Sequence, residues 1–146
     1  MNNKNVEFHY DKIGVASCTI KYDGKTFTAY ARCHPEDSDM MNEYTGCNIA
    51  YRRAAIILYR YRRDELKQSL KALNQLYYTM RHSKKFNEKS YENIMLQRQI
   101  NLIKDDLATI KELLINERQN LIEYINSKDE FYKSIRANRK TKGSNN

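Results

Sequence analysis

The absence of helix-breaking residues from most of the chain constrains its fold more than any other feature. Neither glycine nor proline occurs between Cys47 and Lys142, and apolar residues recur through this span at helical spacing. Only the polar stretch 82–90 interrupts the pattern. The sequence therefore predicts one helix over 47–81 and a second that begins at an N-cap Ser90 and ends near residue 128.

Residues 15–33 follow a different periodicity, in which apolar and polar residues alternate on both sides of Asp23-Gly24. A two-residue Asp-Gly turn pairs Tyr22 with Lys25 and is typical of a β-hairpin. The same register places three further pairs opposite each other: Ile20 with Phe27, Cys18 with Ala29, and Ala16 with Ala31. One face of the hairpin thus consists of small apolar residues, which a helix can cover closely. After Pro35, the polar stretch 36–46 predicts a loop, with one helical turn around residues 39–44 as an alternative.

The apolar face of the first helix changes direction along its length. At about 100° per residue, one arc contains Ala50, Ala54, Ile57, Leu58 and Tyr61. A second arc contains Leu66, Leu70, Leu73, Tyr77 and Met80. The two halves of this helix are therefore expected to have different packing partners, the hairpin for the first half and the second helix for the other.

The second helix carries a seven-residue repeat of the kind found in coiled coils. Its seam comprises Ile100, Ile103, Leu107, Ile110, Leu114 and Leu121, and Glu117 and Lys128 interrupt it. Because this seam is longer than the facing half of the first helix, its surplus must pack either on the head, formed by the hairpin and the start of the first helix, or on a second copy of the chain. Both alternatives stay open, so a homodimer is one expected assembly.

These patterns predict an α+β fold: an N-terminal β-hairpin packed on the start of a long helix, followed by a long antiparallel helical hairpin that forms a coiled-coil arm. The expected domains are a ββα head over 1–62, the arm over 63–130 and a basic, disordered tail over 131–146. The tail is rich in charge and poor in apolar residues, which is typical of disorder.

The formal net charge of +8 is concentrated in two segments. Residues 51–89 carry eleven basic and three acidic residues, and the last sixteen residues carry five basic residues and none that is acidic. Because counterion release rewards clustered Lys and Arg, this distribution favours attraction to a polyanion such as nucleic acid. The alternative is that the charge serves only solubility.

No segment reaches the roughly 20 apolar residues that span a bilayer, and no apolar signal-peptide core follows the N-terminus. We therefore expect a cytoplasmic protein without a membrane partner. Three cysteines, Cys18, Cys33 and Cys47, are an odd number, which in such a chain favours reduced, mostly buried thiols over disulfides.

The densest cluster of basic and aromatic residues is Tyr51-Arg52-Arg53 followed by Tyr59-Arg60-Tyr61-Arg62-Arg63. Six basic side chains of the first helix fall within about 100° of arc, clear of both apolar faces. Arg offers bidentate contacts to phosphate, and Tyr59 offers a stacking face. With the tail, this arc gives the predicted binding residues: Arg52, Arg53, Tyr59, Arg60, Arg63, Lys67, Lys71, Arg136, Arg139, Lys140 and Lys142. Tyr with Arg is also typical of protein interfaces, so an acidic protein surface is the alternative partner.

Catalytic and metal sites are not predicted. His34 and the cysteines lack zinc-ligand spacing, and the acidic stretch 36–43 lacks the spacing and central glycine of a calcium loop. His9 and His82 have no partnered nucleophile or carboxylate at recognisable spacing, and there is no glycine-rich phosphate loop. We expect a protein that is not an enzyme and needs no metal or cofactor.

Residues 15–54 carry two short motifs around the predicted turn and helix start. The first comprises Asp23-Gly24-Lys25-Thr26, then Ala29, Ala31, Cys33, Pro35 and Asp37; the second comprises Gly46, Ile49-Ala50 and Arg53-Ala54. This stretch resembles a small ββα element common in phages of low-GC Gram-positive bacteria. The resemblance implies a fold similar to part of a double-stranded-RNA-binding domain. Phage proteins of this kind include inhibitors of host defence, among them anti-CRISPR proteins that bind a nuclease with its guide RNA.

The leading functional expectation is a phage or mobile-element protein that acts in the bacterial host cytoplasm. It would bind a host nuclease or ribonucleoprotein complex through the basic helix face and inhibit it. The alternatives are a homodimeric DNA- or RNA-binding regulator and a coiled-coil scaffold protein. Strong salt dependence with free nucleic acid favours the regulator, whereas oligomerisation with indifference to nucleic acid favours the scaffold.

Overall fold

The computed structural model describes residues 5–32 and 42–143. A three-stranded antiparallel sheet at the N-terminus packs on two long helices, so the predicted α+β class is confirmed. In chain order the elements are β1 (Asn5–Tyr10), β2 (Val15–Tyr22), β3 (Lys25–Arg32), α1 (Glu43–Arg81) and α2 (Tyr91–Gly143).

Strands β2 and β3 form the predicted hairpin in the predicted register, with Tyr22 opposite Lys25. Asp23 and Gly24 both have positive φ, 50° and 72°, as a two-residue type I′ turn requires. Aspartate and glycine tolerate this conformation, which explains why this dipeptide stands at the turn. The predicted apolar face is buried: Ala16, Cys18, Ile20, Phe27, Ala29 and Ala31.

Strand β1 was not predicted, and it adds a third strand beside β2, with Phe8 opposite Cys18. Asp11 fixes the connecting turn, because its Oδ1 accepts hydrogen bonds from the backbone N–H groups of Ile13 (3.0 Å) and Val15 (2.9 Å). A sequence signal was present, since the apolar residues of this strand alternate: Val6, Phe8 and Tyr10. The strand is short and mostly exposed, so the signal is weaker than that of the hairpin.

Helix α1 begins at Glu43, four residues before the predicted start. Asn42 is its N-cap: the side-chain Oδ1 accepts a hydrogen bond from the backbone N–H of Thr45 (3.2 Å). The predicted loop 36–46 was therefore wrong at its end, because Gly46 lies inside the first turn. A Cβ at Gly46 would come within 3.0 Å of the Ala16 Cβ, so this glycine permits close helix–sheet packing. The rest of that loop, at 33–41, lies outside the described residues.

Helix α2 starts where the sequence predicts, since Ser90 Oγ accepts a hydrogen bond from the backbone N–H of Asn93 (3.2 Å). Its end was predicted wrongly. The helix continues to Gly143, so the segment from residue 131 that was expected to be disordered is helical as far as that glycine. The physical reason is the absence of any glycine or proline from residues 91–142. Residues 144–146 lie outside the description.

The chain divides into two compact units. The sheet unit contains the described residues up to Leu58 together with those from Asn116 onward, and the helical unit contains Tyr59 to Ile115. This division differs from the predicted 1–62 and 63–130, because the C-terminal part of α2 belongs with the sheet.

Within the sheet unit, side chains on more than one side of α1 are buried. Ala50, Ala54 and Leu58 are buried as predicted, and Ala55 and Ile56 on the other sides are buried too. Ile57 is instead 39% exposed. The sheet covers one side of this helix segment and the C-terminal part of α2 contacts another, as the Arg52–Glu117 ion pair described below demonstrates. The surplus of the α2 seam therefore packs within the chain, the first of the two alternatives.

The helical unit is an antiparallel pair of helix segments joined at residues 82–90. Leu66 of α1 and Leu96 of α2 are buried. The predicted seam is also turned inward: Ile100, Leu107 and Leu114 are buried, and Ile103, Ile110 and, in the sheet unit, Leu121 are half-buried. Of the helices in the part of the chain that is described, neither is long and apolar enough to cross a bilayer.

Candidate nucleic-acid interface on the first helix

Three basic side chains of the predicted set form an exposed row on α1 within the helical unit: Arg60, Lys67 and Lys71. Their spacing of seven and four residues keeps them on one side of the helix, and they extend over about 16 Å at 1.5 Å per residue. Among residues 5–32 and 42–143, none of the three forms an ion pair. We call these three residues the basic face.

Arg63 and Tyr59 lie at the margin of the basic face. The Arg63 Nε donates a hydrogen bond to Asp64 Oδ1 (3.1 Å), and the Arg63 side chain is only 26% exposed. Tyr59 is half-buried. Because Asp64 is well exposed, this ion pair is weak and Arg63 can exchange its partner for a phosphate. The basic face is defined without Arg63, so its three cations are available whether or not Arg63 leaves Asp64.

Arg52 was predicted to bind a partner, but the sheet unit uses it internally. Its Nη1 donates to Glu117 Oε1 (3.2 Å), its Nε donates to Asn48 Oδ1 (2.9 Å), and its guanidinium lies 5.6 Å from the ring centroid of Tyr124. The helical wheel of α1 alone could not reveal this, because the partners Glu117 and Tyr124 lie on α2. Arg52 therefore ties α2 to α1 within the sheet unit, and its binding of a partner stays a prediction.

Arg53 is also engaged within the sheet unit. Its Nη1 donates a hydrogen bond to the backbone oxygen of Tyr30 (2.7 Å). Arg53 further lines a cavity of about 190 Å³ with residues from the sheet and both helices. The charged residues that line this cavity include Arg32, Lys128 and Asp129. Arg53 thus contacts β3 within the sheet unit and is exposed, so its binding of phosphate stays a prediction.

The predicted basic residues of the tail lie on the last turns of α2. Arg136 is half-buried and has interaction partners in the chain, whereas Lys140 is exposed. The side chains of Arg139 and Lys142 lie outside the described ones. The tail residues belong to the sheet unit and the basic face to the helical unit, so we treat the two sets separately.

An exposed aromatic pair continues the line of the basic face and was missed from the sequence. Tyr78 is 65% exposed, and its ring centroid lies 4.1 Å from that of His82. The His82 Nδ1 donates a hydrogen bond to the Tyr78 backbone oxygen (2.8 Å), since a carbonyl can only accept. The signal was available: Tyr78 follows Arg60 by 18 residues, which is five full helical turns. The pair offers a flat surface for stacking beside the cations.

The described cysteines show no sign of catalytic activation. Cys18 is buried and Cys47 is half-buried, and neither forms a disulfide within the described residues. Burial raises the pKa of the Cys47 thiol, and the nearby Glu43 carboxylate raises it further. A protonated thiol is a poor nucleophile. Within the described residues, no group of three or more His, Cys, Asp or Glu side chains could hold a metal ion. Cys33 and His34 lie outside them.

Replacing Arg52 with alanine is expected to lower the free energy of unfolding by about 1–2 kcal/mol, because it removes charge-assisted hydrogen bonds to partly buried partners. A double-mutant cycle with Glu117→Ala should give a coupling energy of about 1 kcal/mol, measured by urea denaturation. Arg60→Ala, on an exposed arginine of the same helix, is the control and should change stability by less than about 0.5 kcal/mol. Purely additive effects in the cycle would contradict the assignment of Arg52 as a tie between the helices.

Comparisons of this chain with protein-family models, with curated proteins and with solved structures each returned no match.

Proposed function

We propose that this chain is a non-enzymatic protein that binds the phosphate backbone of nucleic acid through the basic face. The observation that supports the proposal most directly is the unpaired state of Arg60, Lys67 and Lys71 within the described chain. Exposed cations without carboxylate partners can release phosphate counterions on binding at little desolvation cost. The regular spacing along one helix suits a linear polyanion.

The surroundings of the basic face support nucleic acid over a compact anion. The row is open to solvent and continues along α1 toward Arg81 and the basic loop residues Lys84, Lys85 and Lys89. From Arg60 to Arg81 the helix extends for about 30 Å. A row of this length matches many phosphates of a strand, whereas a small anion would need a concave site.

The aromatic pair supports a preference for single strands. Bases in a duplex are stacked on each other, but unpaired bases can stack on an exposed ring beside phosphate contacts. Tyr78 and His82 provide such a ring surface on the line of the basic face. Binding of this kind tracks the backbone and has little sequence preference.

The finer form of the proposal rests on the resemblance to phage ββα proteins. In that form the nucleic acid belongs to a host ribonucleoprotein, such as a nuclease with its guide RNA, in the cytoplasm of a bacterial cell. The protein would occupy the nucleic-acid path and inhibit the complex. This form needs no catalytic residue or cofactor.

The test is binding of the full chain to fluorescent single-stranded and double-stranded RNA and DNA over a series of salt concentrations. We expect log K to fall linearly with log salt concentration, and we expect tighter binding to single strands. Affinity capture from a host lysate, with and without nuclease treatment, then separates the two forms. Stoichiometric capture of one nuclease complex supports the finer form, whereas bulk nucleic acid that disappears on nuclease treatment supports binding to free nucleic acid. Indifference to nucleic acid in both experiments would reject the proposal in favour of a scaffold.

A further inference from the structure

The outer edge of strand β1 is the most exposed backbone of the sheet. In a two-residue hairpin the residues flanking the turn form a hydrogen-bonded pair, and such pairs alternate along an antiparallel ladder. The pair Tyr22–Lys25 therefore directs the backbone groups of even-numbered β2 residues toward β3 and those of odd-numbered residues toward β1. The hydrogen bond from Asp11 N–H to the Val15 oxygen (3.1 Å) agrees with this assignment.

Odd-numbered residues of β1 consequently bond β2, since Glu7 lies opposite Thr19. The N–H and C=O groups of Val6, Phe8 and Tyr10 project from the open edge. At the other edge of the sheet, the outward-directed oxygen of Tyr30 accepts the hydrogen bond of Arg53. Strand β1 has no corresponding cover among the described residues. It also lacks the proline or bulge that proteins use to protect an edge, and its one charged side chain, Glu7, forms an ion pair with Lys21 of β2 (2.9 Å).

The side chains of β1 leave apolar surface beside this edge. Val6 is 36% exposed and Phe8 is 53% exposed, both on the face of the sheet that α1 covers. Phe8 contacts the ring of Tyr51 on α1 at a centroid distance of 6.4 Å. A further strand beside β1 would bury these side chains and satisfy the open backbone groups together.

We infer that the occupant of this edge is β1 of a second copy of the chain, in an antiparallel twofold pair. Side chains on one face require pairing of residues of like parity. The register centred on Phe8 places it opposite the partner's Phe8, places Val6 opposite the partner's Tyr10, and places Glu7 opposite the partner's His9. Each hydrogen-bonded pair in this register exchanges two backbone hydrogen bonds. The two sheets become one continuous six-stranded sheet.

The neighbouring register centred on Glu7 fits less well. The register centred on Glu7 sets two carboxylates against each other, and like charges directly opposite destabilise a sheet. The register centred on Phe8 instead sets Glu7 beside the partner's His9 on both sides of the axis. The register centred on Phe8 also covers the exposed side chains of Val6 and Phe8. In this register, both the side chains and the open backbone groups of β1 match those of β1 in the second copy.

The first test is sedimentation equilibrium of the full chain. We expect a reversible dimer, and we expect Phe8→Lys to raise its dissociation constant about tenfold or more. Ile13→Lys is the matched control, because Ile13 is an exposed apolar residue of the adjacent turn, 71% exposed, and it should leave the constant unchanged. A wild-type chain that stays monomeric, including one that pairs only with another protein's strand, would overturn the inference.

A second test does not depend on any charged substitution at the edge. In the inferred register the two Phe8 Cα atoms lie about 5.5 Å apart, within disulfide range, whereas the two Val6 Cα atoms are at least about 13 Å apart. Under mild oxidation Phe8→Cys should form a covalent dimer through residue 8, mapped by mass spectrometry, and Val6→Cys should not. Both variants keep the native cysteines, so the wild-type chain gives the background. Equal cross-linking of the two variants would refute this register.

Discussion

Replacing Arg60, Lys67 and Lys71 together with alanine is expected to lower the affinity for single-stranded nucleic acid about 100-fold. If each exposed phosphate contact contributes about 1 kcal/mol, three contacts contribute about 3 kcal/mol, which corresponds to that factor. The slope of log K against log salt concentration should also become shallower by about 2, since each phosphate contact to a single strand contributes about 0.7 to the slope. Fluorescence anisotropy at several salt concentrations measures both quantities.

The matched control for this variant is a triple substitution on α2 with the same change in net charge. Arg98, Lys104 and Lys111 are exposed and belong to the same unit, so their replacement with alanine removes three cations outside the basic face. We expect little change in affinity and in salt slope. An equal loss in both variants would mean that net charge, rather than the basic face, drives binding. Circular dichroism and thermal melting should be unchanged for both, because all six side chains are exposed.

The predictions from sequence succeeded where local chemistry decides the structure. The Asp23-Gly24 turn fixes the register of the hairpin through its own backbone preference, so every pair from Tyr22–Lys25 onward follows by counting. Ser90 likewise predicts the start of α2, because its hydroxyl caps a helix with a group three residues away. Neither feature requires knowledge of distant residues.

The predictions failed where a residue's role depends on a partner far along the chain. Gly46 has the form of a helix boundary in the sequence, yet it lies within α1, and the close approach of Ala16 from the sheet explains why a glycine is needed there. Arg52 shares an arc with the other basic residues of α1, yet Glu117, which is 65 residues away, engages it. In the sequence, Glu117 is recognisable only as an interruption of the apolar seam of α2. Glu117 and Lys128 interrupt the seam in the part of α2 that belongs to the sheet unit, which begins at Asn116.

The candidate site was predicted in part for the same reason. Helical geometry alone places Arg60, Lys67 and Lys71 on one side of α1, and they belong to a unit in which that side is exposed. Arg53 has the same angular position, but it belongs to the sheet unit and bonds the Tyr30 oxygen. Angular position on a helix predicts a shared face only while the neighbours of that helix stay the same.

Replacing Ile20 with alanine is expected to have the largest effect on stability among conservative changes in the sheet unit. Ile20 is fully buried at the centre of the middle strand, opposite Val6 on one side and Phe27 on the other. Truncation of such a side chain loses its transfer free energy and leaves a cavity, which together cost about 2–5 kcal/mol. Because small proteins are stable by only about 5–15 kcal/mol, urea denaturation should show a large drop in the transition midpoint.

Ile13→Ala provides the control for Ile20→Ala with the same chemical change in the same unit. Ile13 lies in the turn between β1 and β2 and is 71% exposed, so its truncation creates no cavity and should cost less than about 0.5 kcal/mol. Comparable losses for the two variants would mean that the face containing Ile20 is not the core on which α1 packs. A cavity at this position would lie beside Cys18 and opposite Phe27 on that face, and either the space stays open or the helix moves inward to fill it. The first outcome lowers stability alone, whereas the second also shifts the resonances of Ala50 and Ala54, which are fully buried on α1.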